Sequence, residues 1–366
     1  MNIAIHNCQF SNHLGGTERL ISYQIKELLN IKEVKLTLIT KKVRNPSFFF
    51  KDTRELNKNN FELIEIEIPK SDNPYSSNNP FKYHIESIDF GLAAQSIYSK
   101  RNFDLVVTHF STDSLFIPRN QKNILHLHGV PTKHSEIGEI STRRPDNFIS
   151  VSKYVKRRWL ELYPTIEECK IRVVYPGIDT EKFFSNHTNK VFDIVFVGRF
   201  ITIKGIDTLI EAISKIDVPL KVCLVGDGPD KPRIINKIKG LGLTNRFTIY
   251  SNIPDSQLLE MYNKSKIGVF PSYAKEGVIL TMLEAAACGL AIITSCSCSM
   301  PEFIKDGANG LFFKPCDAQD LADKISKLIN DQSLQEKINE NAAIELQSKW
   351  NNETRVGQLF DTYKIL

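Results

Sequence analysis

Two carboxylates stand at the edge of an apolar stretch near the middle of the second half of the chain. Glu276 and Glu284 are separated by seven residues in "YAKEGVILTMLEAAACGLAIITS" (273–295). The spacing alone means little, since Glu345 and Glu353 share it in a polar segment. The first pair differs in context, because it follows the predicted strand "IGVFPS" and runs into a small-residue helix. A carboxylate on that apolar helix needs partners, and sugar hydroxyls would serve; a solvated helix edge is the alternative.

Two cations follow another predicted strand in "FVGRFITIKG" (196–205). Arg199 comes directly after the strand, and Lys204 comes five residues later, just before the next predicted helix. Both side chains can point into the crevice at the carboxyl end of the strand, where two cations suit a diphosphate. The alternative is that Arg and Lys are merely frequent loop residues.

A glycine pair, Gly15 and Gly16, lies in "HLGGTERL" between the first predicted strand and the first predicted helix. Glycine there lets the backbone approach a ligand closely, and the helix N-terminus behind it favours an anion. The pair lacks the full spacing of a dinucleotide-binding fingerprint. By itself it favours a tight structural turn over a binding site.

Two histidines, His126 and His128, alternate in "HLHG" and therefore share one face of a predicted strand. His-x-His is a zinc-binding spacing, but the sequence shows no third cluster of ligands beside it. His128, at the strand terminus, is better placed for a crevice than His126. A satisfied core histidine is the competing interpretation. The Cys-x-Cys pair Cys296 and Cys298 has no matching second pair, so it is interpreted as incidental.

Parallel sheets must position these groups, because strand and helix patterns alternate along the whole chain. The first half has strand patterns at 2–6, 34–40, 103–110, 123–129 and 147–152, and a Pro-, Ser- and Asn-rich loop at 69–82. Near residues 160–176 the pattern restarts, with strands predicted at 171–179, 191–199 and 220–229. The predicted fold class is therefore α/β, with two separate doubly wound sheets. Ligands of such sheets bind beyond the carboxyl ends of the strands.

Length and composition are those of a globular protein with two domains, with 366 residues, 42% hydrophobic and 24% charged. The apolar runs are too short to span a bilayer, and Met1-Asn2 leads directly into "IAI" without the cationic start of a signal peptide. Seven scattered cysteines favour reduced thiols in a cytosol. We therefore expect a cytoplasmic protein.

The charge of the chain is uneven, with 23 Lys and Arg against 17 Asp and Glu in residues 1–165, and near neutrality afterwards. This surplus, together with the basic segment "SKYVKRRW" (152–159), favours contact with something anionic, such as a membrane surface or a phosphorylated acceptor. An ordinary solvated surface is the alternative. Nucleic acid is not expected as a partner, because the surplus is small and not interleaved with aromatic residues.

Taken in order, these motifs resemble the retaining glycosyltransferases of family 4, which have the two-domain GT-B fold. The resemblance covers nearly the whole chain. Beyond the segments already quoted, it is carried by "GGTE" (15–18), "SVSKYVK" (150–156), "YPGID" (175–179), "VGDGP" (225–229) and "PEFIKDGANGLFF" (301–313).

The resemblance implies two Rossmann-like domains with a donor-binding cleft between them. We expect an acceptor-binding domain at 1–168 and a nucleotide-sugar-binding domain at 169–345. The last segment, 346–366, which contains Trp350, is expected to form a helix that packs back on the first domain.

The resemblance also implies a role for each candidate residue. Arg199 and Lys204 would bind the donor diphosphate, Glu276 the hydroxyls of the reacting sugar, and Glu284 the ribose. His128 would lie beside the donor sugar and acceptor. The remaining predicted contacts are the backbone of Gly277, Val278, Ile279 and Leu280, the close approach of Gly15 and Gly16 to the phosphates, and the support of the pocket by Glu302.

Two departures from the family pattern concern the donor pocket. Val278-Ile279 stands where the family often has Phe-Gly, and "SCSCSM" replaces a glycine-rich stretch before "PE". The implied reaction is transfer of a sugar from a UDP-sugar, or alternatively GDP-mannose, to a hydroxyl of a saccharide or glycolipid. The resemblance implies retention of configuration and no metal or other cofactor, the nucleotide sugar being a co-substrate. It also suggests bacterial surface polysaccharide or lipopolysaccharide synthesis.

Two alternatives stay open at this stage. One is a sugar-phosphate-forming synthase of the same fold; a phosphorylase is disfavoured because it would need a much longer chain. The other is a degenerate subunit that only binds nucleotide sugar, against which the joint presence of Arg199, Lys204, Glu276 and Glu284 argues.

Overall fold

The computed structural model describes residues 1–11, 15–44, 47–56, 58–68, 80–131, 133–186 and 188–366. The chain forms two compact units. Unit 1 consists of Met1–Gly177 and Asn352–Leu366, and unit 2 consists of Ile178–Asn351.

Unit 1 is built on a parallel sheet. Among its described residues the strands are β1 (Asn2–His6), β2 (Lys35–Lys41), β3 (Phe61–Ile66), β4 (Leu105–Thr108), β5 (Asn123–Leu127), β6 (Asn147–Ser150) and β7 (Ile171–Val173). The helices between them are α1 (Gly16–Leu28), α2 (Phe48–Arg54), α3 (Pro80–Tyr98), α4 (Ser111–Ser114), α5 (Glu136–Thr142), α6 (Lys153–Leu162) and a 3₁₀ turn at Glu168–Lys170.

The strand order of unit 1 is β3-β2-β1-β4-β5-β6-β7, and every pairing is parallel. The central strands are apolar along nearly their whole length, as a sheet covered on both faces requires. One face packs against α1 through residues such as Ile3, Ile5 and Val107. The other packs against α3 through residues such as Ala4 and Val106.

Unit 2 repeats this construction. Its strands are β8 (Phe192–Val197), β9 (Val222–Val225), β10 (Phe247–Tyr250), β11 (Ser265–Phe270), β12 (Ala291–Ser295) and β13 (Leu311–Phe313), in the parallel order β10-β9-β8-β11-β12-β13. Its helices are α7 (Ile206–Ser214), α8 (Lys231–Gly240), α9 (Asp255–Asn263), α10 (Leu280–Ala287), α11 (Ala318–Asn330) and α12 (Gln332–Glu345), with 3₁₀ turns at Thr202–Lys204, Thr244–Arg246 and Met300–Glu302. In both sheets the spatial order of the strands reverses after the third strand, because the fourth strand pairs with the first. This is the doubly wound arrangement, and the prediction of two doubly wound domains is confirmed.

The last helix of the chain, α13 (Asn352–Ile365), belongs to unit 1. The Asn352 side chain donates to the Tyr23 carbonyl of α1 at 3.2 Å. Val356, Leu359 and Phe360 then pack into the core on the same face of the sheet as α1. The C-terminal residues are therefore part of the three-layer construction of unit 1.

Two predicted boundaries differ from the structure. Residues 169–177 belong to unit 1, because β7 pairs with β6 in the register Phe148 to Ile171; the boundary lies at 177 rather than 168. Residues 346–351 stay with unit 2, where Leu346–Trp350 forms a π-helical turn and Trp350 packs on Phe303 at 4.8 Å between ring centroids. Trp350 is therefore not part of the returning helix.

The predicted loop at 69–82 falls mostly on residues 69–79, outside the described residues. Its last residues, 80–82, lie in the first turn of α3, where proline is favourable because the first N–H groups of a helix have no intrahelical acceptor. Among the described residues, no helix combines the length and the apolar character that crossing a bilayer requires.

Candidate functional site

The predicted cations and the first predicted carboxylate of unit 2 follow two neighbouring strands at the switch point of the sheet. β8 and β11 pair in parallel, with Ile194 beside Ile267, so both strands end at the same edge. Arg199 follows β8, and Glu276 follows β11. Ligands of doubly wound sheets bind where the strand order reverses, at the carboxyl ends.

A turn at Gly205, after β8, packs directly against the segment that follows β11. Gly205 has φ +69°, and a Cβ there would lie 2.1 Å from the carbonyl oxygen of Pro271, just after β11. The Tyr273 amide donates to the Ile203 carbonyl at 3.1 Å across the same contact. Only glycine allows both this conformation and this approach. The turn is thereby held against the segment that leads to Glu276.

The consequence of this contact is an ion pair between the two predicted donor-binding residues. Lys204 Nζ lies 2.7 Å from Glu276 Oε1, and the two side chains are 16% and 11% exposed. A pair so shielded is costly to separate unless another charge replaces the lost partner. Lys275, immediately before Glu276, has φ +65°. Such backbone strain in a non-glycine residue is commonest at functional sites.

Arg199 differs from Lys204 in having an exposed side chain. It makes no ion pair with the residues the structure describes. Its loop is held by backbone hydrogen bonds, from the Gly198 amide to the Val225 carbonyl at 3.0 Å and from the Phe200 amide to the Asp227 carbonyl at 2.8 Å. Arg199 is therefore an available cation on a fixed backbone.

The backbone between the two glutamates supplies hydrogen-bond donors. Gly277, Val278 and Ile279 form the loop before α10, and Leu280 is the first residue of that helix. Within the described part of the chain, the N–H groups of residues 277–281 have no hydrogen-bond acceptor. Unpaired N–H groups at the start of a helix are ready to bind an anion or a hydroxyl.

Glu284 lies in the second turn of α10 and is fully buried. Tyr262, on α9, donates its hydroxyl to Glu284 Oε2 at 3.1 Å. A buried carboxylate requires such a donor, and the sequence had not identified Tyr262. Glu302 is half-buried in the 3₁₀ turn Met300–Glu302. The structure thus places Arg199, Lys204, Glu276 and Glu302 in the segments that follow β8, β11 and β12, and Glu284 inside the helix that follows β11.

The "SCSCSM" segment after β12 supports the loop that carries Glu276. Ser299 Oγ donates to the Gly277 carbonyl. Ser295 and Ser297 both donate to the Ser272 carbonyl, Ser297 at 3.0 Å. Sequence reasoning treated this segment only as a departure from the family pattern. The chain turns at Cys298 (φ +54°) and Ser299, so only the folded turn shows that all three hydroxyls reach the preceding loop.

In unit 1, the glycine pair lies at the start of α1. Gly15 is the N-cap, with extended backbone at φ −138°, and Gly16 begins the helix. Any residue can adopt that conformation, so the backbone angles do not by themselves require glycine. The preceding residues, 12–14, lie outside the described residues.

Three histidines come together at the carboxyl ends of β4 and β5. Thr108 pairs with Leu125, so the next residues, His109 and His126, are neighbours on one face of the sheet. His128 is two residues further along and projects to the same face. His109 Nδ1 lies 2.7 Å from His128 Nε2. The sequence showed no third cluster of ligands beside His126 and His128, and the structure brings His109 to them; the sequence signal was a histidine at the end of the preceding strand.

Burial keeps these imidazoles neutral. It lowers the pKa of His128 to about 4 and lowers the pKa of His109 and His126 well below the usual value. Charge on His109 is also disfavoured by His126 and His128, and charge on His126 by His128. The Tyr363 hydroxyl of α13 lies 2.9 Å from His126 Nε2. His109 Nε2 is buried without a hydrogen-bond partner among the described residues.

Two family models match the sequence. The model described as "Glycosyl transferases group 1" matches residues 177–344, and that described as "Glycosyltransferase Family 4" matches residues 14–182. An uncharacterized glycosyltransferase of Methanocaldococcus jannaschii is 29% identical over 263 residues, which are 68% of this chain and 71% of the relative.

Solved structures have the same fold over the full chain length. Sucrose-phosphate synthase from Thermosynechococcus elongatus superposes with a TM-score of 0.83 at 20% identity, covering 100% of this chain and 98% of that one. HepE of Anabaena, in complex with UDP and glucose, has a TM-score of 0.81 at 18% identity, with 100% of both chains covered. With the two sheets and the matches to both halves, the chain belongs to the glycosyltransferases of group 1 and family 4, and its fold is GT-B.

Proposed function

We propose that the enzyme transfers a sugar from a nucleoside diphosphate sugar, with UDP favoured over GDP, to a hydroxyl of a saccharide or glycolipid acceptor. The observation that carries this proposal is the Lys204–Glu276 ion pair at the switch point of unit 2. It stands beside an exposed arginine, Arg199, and the unpaired N–H groups of residues 277–281.

The diphosphate of the donor is the anion that these cations and N–H groups would bind. Its negative charge competes with Glu276 for Lys204 and pairs with Arg199, while the amides of Gly277, Val278, Ile279 and Leu280 donate to phosphate or sugar oxygens. Charge on the diphosphate increases as it leaves, so cations and amides held in place stabilise the transition state more than the ground state. No metal ion is needed for this stabilisation.

The released Glu276 then binds hydroxyls of the reacting sugar, and Glu284 binds the ribose. His128 lies beside the sugar and acceptor, Gly15 and Gly16 approach the phosphates, and Glu302 supports the pocket. The bond from C1 to the diphosphate oxygen breaks, and the acceptor oxygen attacks C1 from the same face. The acceptor proton passes to the departing diphosphate, and the anomeric configuration is retained.

Titration of the purified enzyme with UDP, GDP and ADP, and with their sugars, tests the donor assignment. We expect UDP to bind most tightly; support comes from HepE, a protein of the same fold with bound UDP. Lys204→Gln should weaken UDP binding roughly 10- to 100-fold, the cost of one charge-assisted contact. Glu276→Ala should abolish slow donor hydrolysis while UDP remains bound.

Glu353→Ala is the matched control, because Glu353 stands at the same spacing from Glu345 but is exposed on α13. It should leave both binding and hydrolysis unchanged. If no nucleoside diphosphate binds the wild-type enzyme, the transferase proposal is wrong. If UDP binds but no donor is hydrolysed or transferred, the chain is a binding subunit instead.

We place the acceptor in bacterial surface polysaccharide or lipopolysaccharide synthesis, on the cytoplasmic side, with the basic first half of the chain facing an anionic membrane or acceptor. Three cations of α6 pair with neighbouring carboxylates, Lys156 with Glu168 at 3.1 Å and both Arg157 and Arg158 with Glu161. These pairs reduce the charge available for lipid. Flotation with vesicles containing anionic lipid tests the contact; recovery only in the aqueous fraction would contradict it.

A sugar-phosphate synthase is the second candidate, favoured by the similarity in fold to sucrose-phosphate synthase. The two candidates differ in the acceptor. If the enzyme transfers the sugar to a hexose phosphate and leaves saccharide and glycolipid acceptors unmodified, it is a sugar-phosphate synthase. The opposite preference would exclude it.

A further inference from the structure

The histidine cluster of unit 1, consisting of His109, His126 and His128, has the composition of a transition-metal site. One ring nitrogen from each residue lies within 4.8 Å of the other two. The cluster is built by strand register at the carboxyl ends of β4 and β5, so its rings are held by the sheet rather than by a surface loop. From this geometry, we propose that the cluster binds one divalent transition-metal ion, Zn²⁺ in particular.

The separations between the rings fit this ion after small movements. Imidazole nitrogens bind zinc at about 2.0–2.1 Å, which places two of them on a tetrahedral ion about 3.3 Å apart. The shortest separation in the cluster, from His109 Nδ1 to His128 Nε2, is 2.7 Å. The other separations are at most 4.8 Å, so ring shifts of about 1 Å, shared between the rings, would exchange one hydrogen bond for bonds to the metal.

The residues around the cluster provide what a three-histidine site requires. The Tyr363 hydroxyl, 2.9 Å from His126 Nε2, fixes that ring and leaves Nδ1 free to bind an ion. His128 is partly exposed, which gives an ion access and leaves a fourth position for water.

The ligand set also selects the type of ion. The described cluster consists of imidazoles alone, without a carboxylate. Imidazole suits Zn²⁺, Co²⁺, Ni²⁺ and Cu²⁺, whereas Mg²⁺ and Ca²⁺ prefer oxygen ligands. Mg²⁺ should therefore fail to compete for the site.

Binding has a consequence that rests on the function proposed above. If His128 lies beside the donor sugar, an ion that holds its ring withdraws it from the donor. Zn²⁺ at the cluster should then slow turnover of the donor, so that the site inhibits an enzyme whose transfer step uses no metal.

The test uses the full chain, stripped with a chelator and titrated with Co²⁺ and then with Zn²⁺. We expect one equivalent to bind, with the visible absorption of four-coordinate Co²⁺, and Zn²⁺ to displace it while Mg²⁺ does not. His109→Gln and His126→Gln should remove the absorption. His134→Gln is the matched control, since His134 is an exposed histidine of the same unit.

A milder variant covers the case in which the ligand variants fold poorly. Tyr363→Phe keeps all three rings but removes the hydroxyl that orients His126, and should lower the affinity for Co²⁺ about 10-fold. The proposal is overturned if the wild-type chain binds no equivalent at micromolar metal. It is also overturned if His134→Gln reduces binding as much as His109→Gln, or if neither His109→Gln nor Tyr363→Phe changes it.

Donor hydrolysis measured beside metal binding separates the two proposals. Binding that slows hydrolysis supports both the site and the assignment of His128. If the metal binds but donor hydrolysis does not change, the metal-site proposal is supported and the placement of His128 beside the donor is contradicted. If the enzyme hydrolyses the donor but binds no metal, the transferase proposal is supported and the metal-site proposal is wrong.

Discussion

The two sheets share a strand order but carry different chemistry at the carboxyl ends of their strands. In unit 2 an ion pair, Lys204 with Glu276, lies at the edge with both side chains slightly exposed. In unit 1 neutral imidazoles pack against one another, and burial lowers the pKa of each. A charge needs a partner or water, whereas a neutral ring needs only hydrogen bonds. The same topology therefore supports a charged site and an uncharged one, depending on which residues follow the strands.

Acidification should lower the stability of unit 1 more than that of unit 2. It is the largest change in the free energy of unfolding that we expect. Burial lowers the pKa of His6 to about 3 and of His128 to about 4, and lowers that of His109 and His126 well below normal. In the unfolded chain each titrates near 6.5, so the unfolded state binds more protons and stability is lost as the pH falls below about 6.5. For His6 and His128, this loss is about 2 kcal/mol each at pH 5.

Asp113 acts in the opposite direction, because burial raises its pKa to about 7 and its protonation stabilises the folded state as the pH falls. It returns about 2 kcal/mol between pH 7 and pH 5, which offsets about one of the four histidines, so a net loss of stability remains. Denaturant unfolding at the two pH values measures this loss, and hydrogen exchange shows where protection disappears first. Loss of protection in unit 2 before unit 1 would contradict the comparison.

Gly205→Ala should strongly destabilise unit 2. The new Cβ would lie 2.1 Å from the Pro271 carbonyl at a φ of +69°, so we expect a loss of about 3 kcal/mol in the free energy of unfolding. Gly242→Ala is the matched control, because Gly242 has the same φ of +69° but nothing within 4 Å of the added carbon. It should cost about 1 kcal/mol. Equal losses would show that the approach to Pro271 is unimportant.

Ser299→Ala should cost less, about 1–2 kcal/mol, since it leaves the buried Gly277 carbonyl without its hydroxyl donor. Ser297→Ala should cost under about 0.5 kcal/mol, because Ser297 is partly exposed and Ser295 still donates to the Ser272 carbonyl. Thermal unfolding compares the two variants. A smaller loss for Ser299 than for Ser297 would mean that the serines do not support the loop before α10.

Arg199→Gln should have the smallest effect on stability, within about 0.5 kcal/mol, because the side chain is exposed and unpaired among the described residues. Its effect on UDP binding should be roughly 10-fold or more, as for other charge-assisted contacts. Calorimetry measures both quantities in one preparation. A stability loss with unchanged UDP affinity would make Arg199 a structural residue.

Much of the fold was predictable from the sequence, because parallel strands covered on both faces are apolar and alternate with helices. The boundary at 168 was wrong because "IRVVYPGID" reads as a strand of either sheet, and only its pairing with β6 assigns it. Trp350 was misplaced because a π-helical turn extends α12, and its packing on Phe303 leaves no periodic signal.

For the site, the local sequence determined which groups follow which strands: Arg199 and Lys204 after one, Glu276 after another, and His128 after a third. Only the tertiary structure decided which of them meet. Lys204 reaches Glu276, 72 positions later in the chain, because Gly205 lets two strand ends touch. His109 joins His126 because β4 pairs with β5 in one register rather than another. Residue type sets what a side chain can do, and contacts between distant segments depend on the packing of the whole domain.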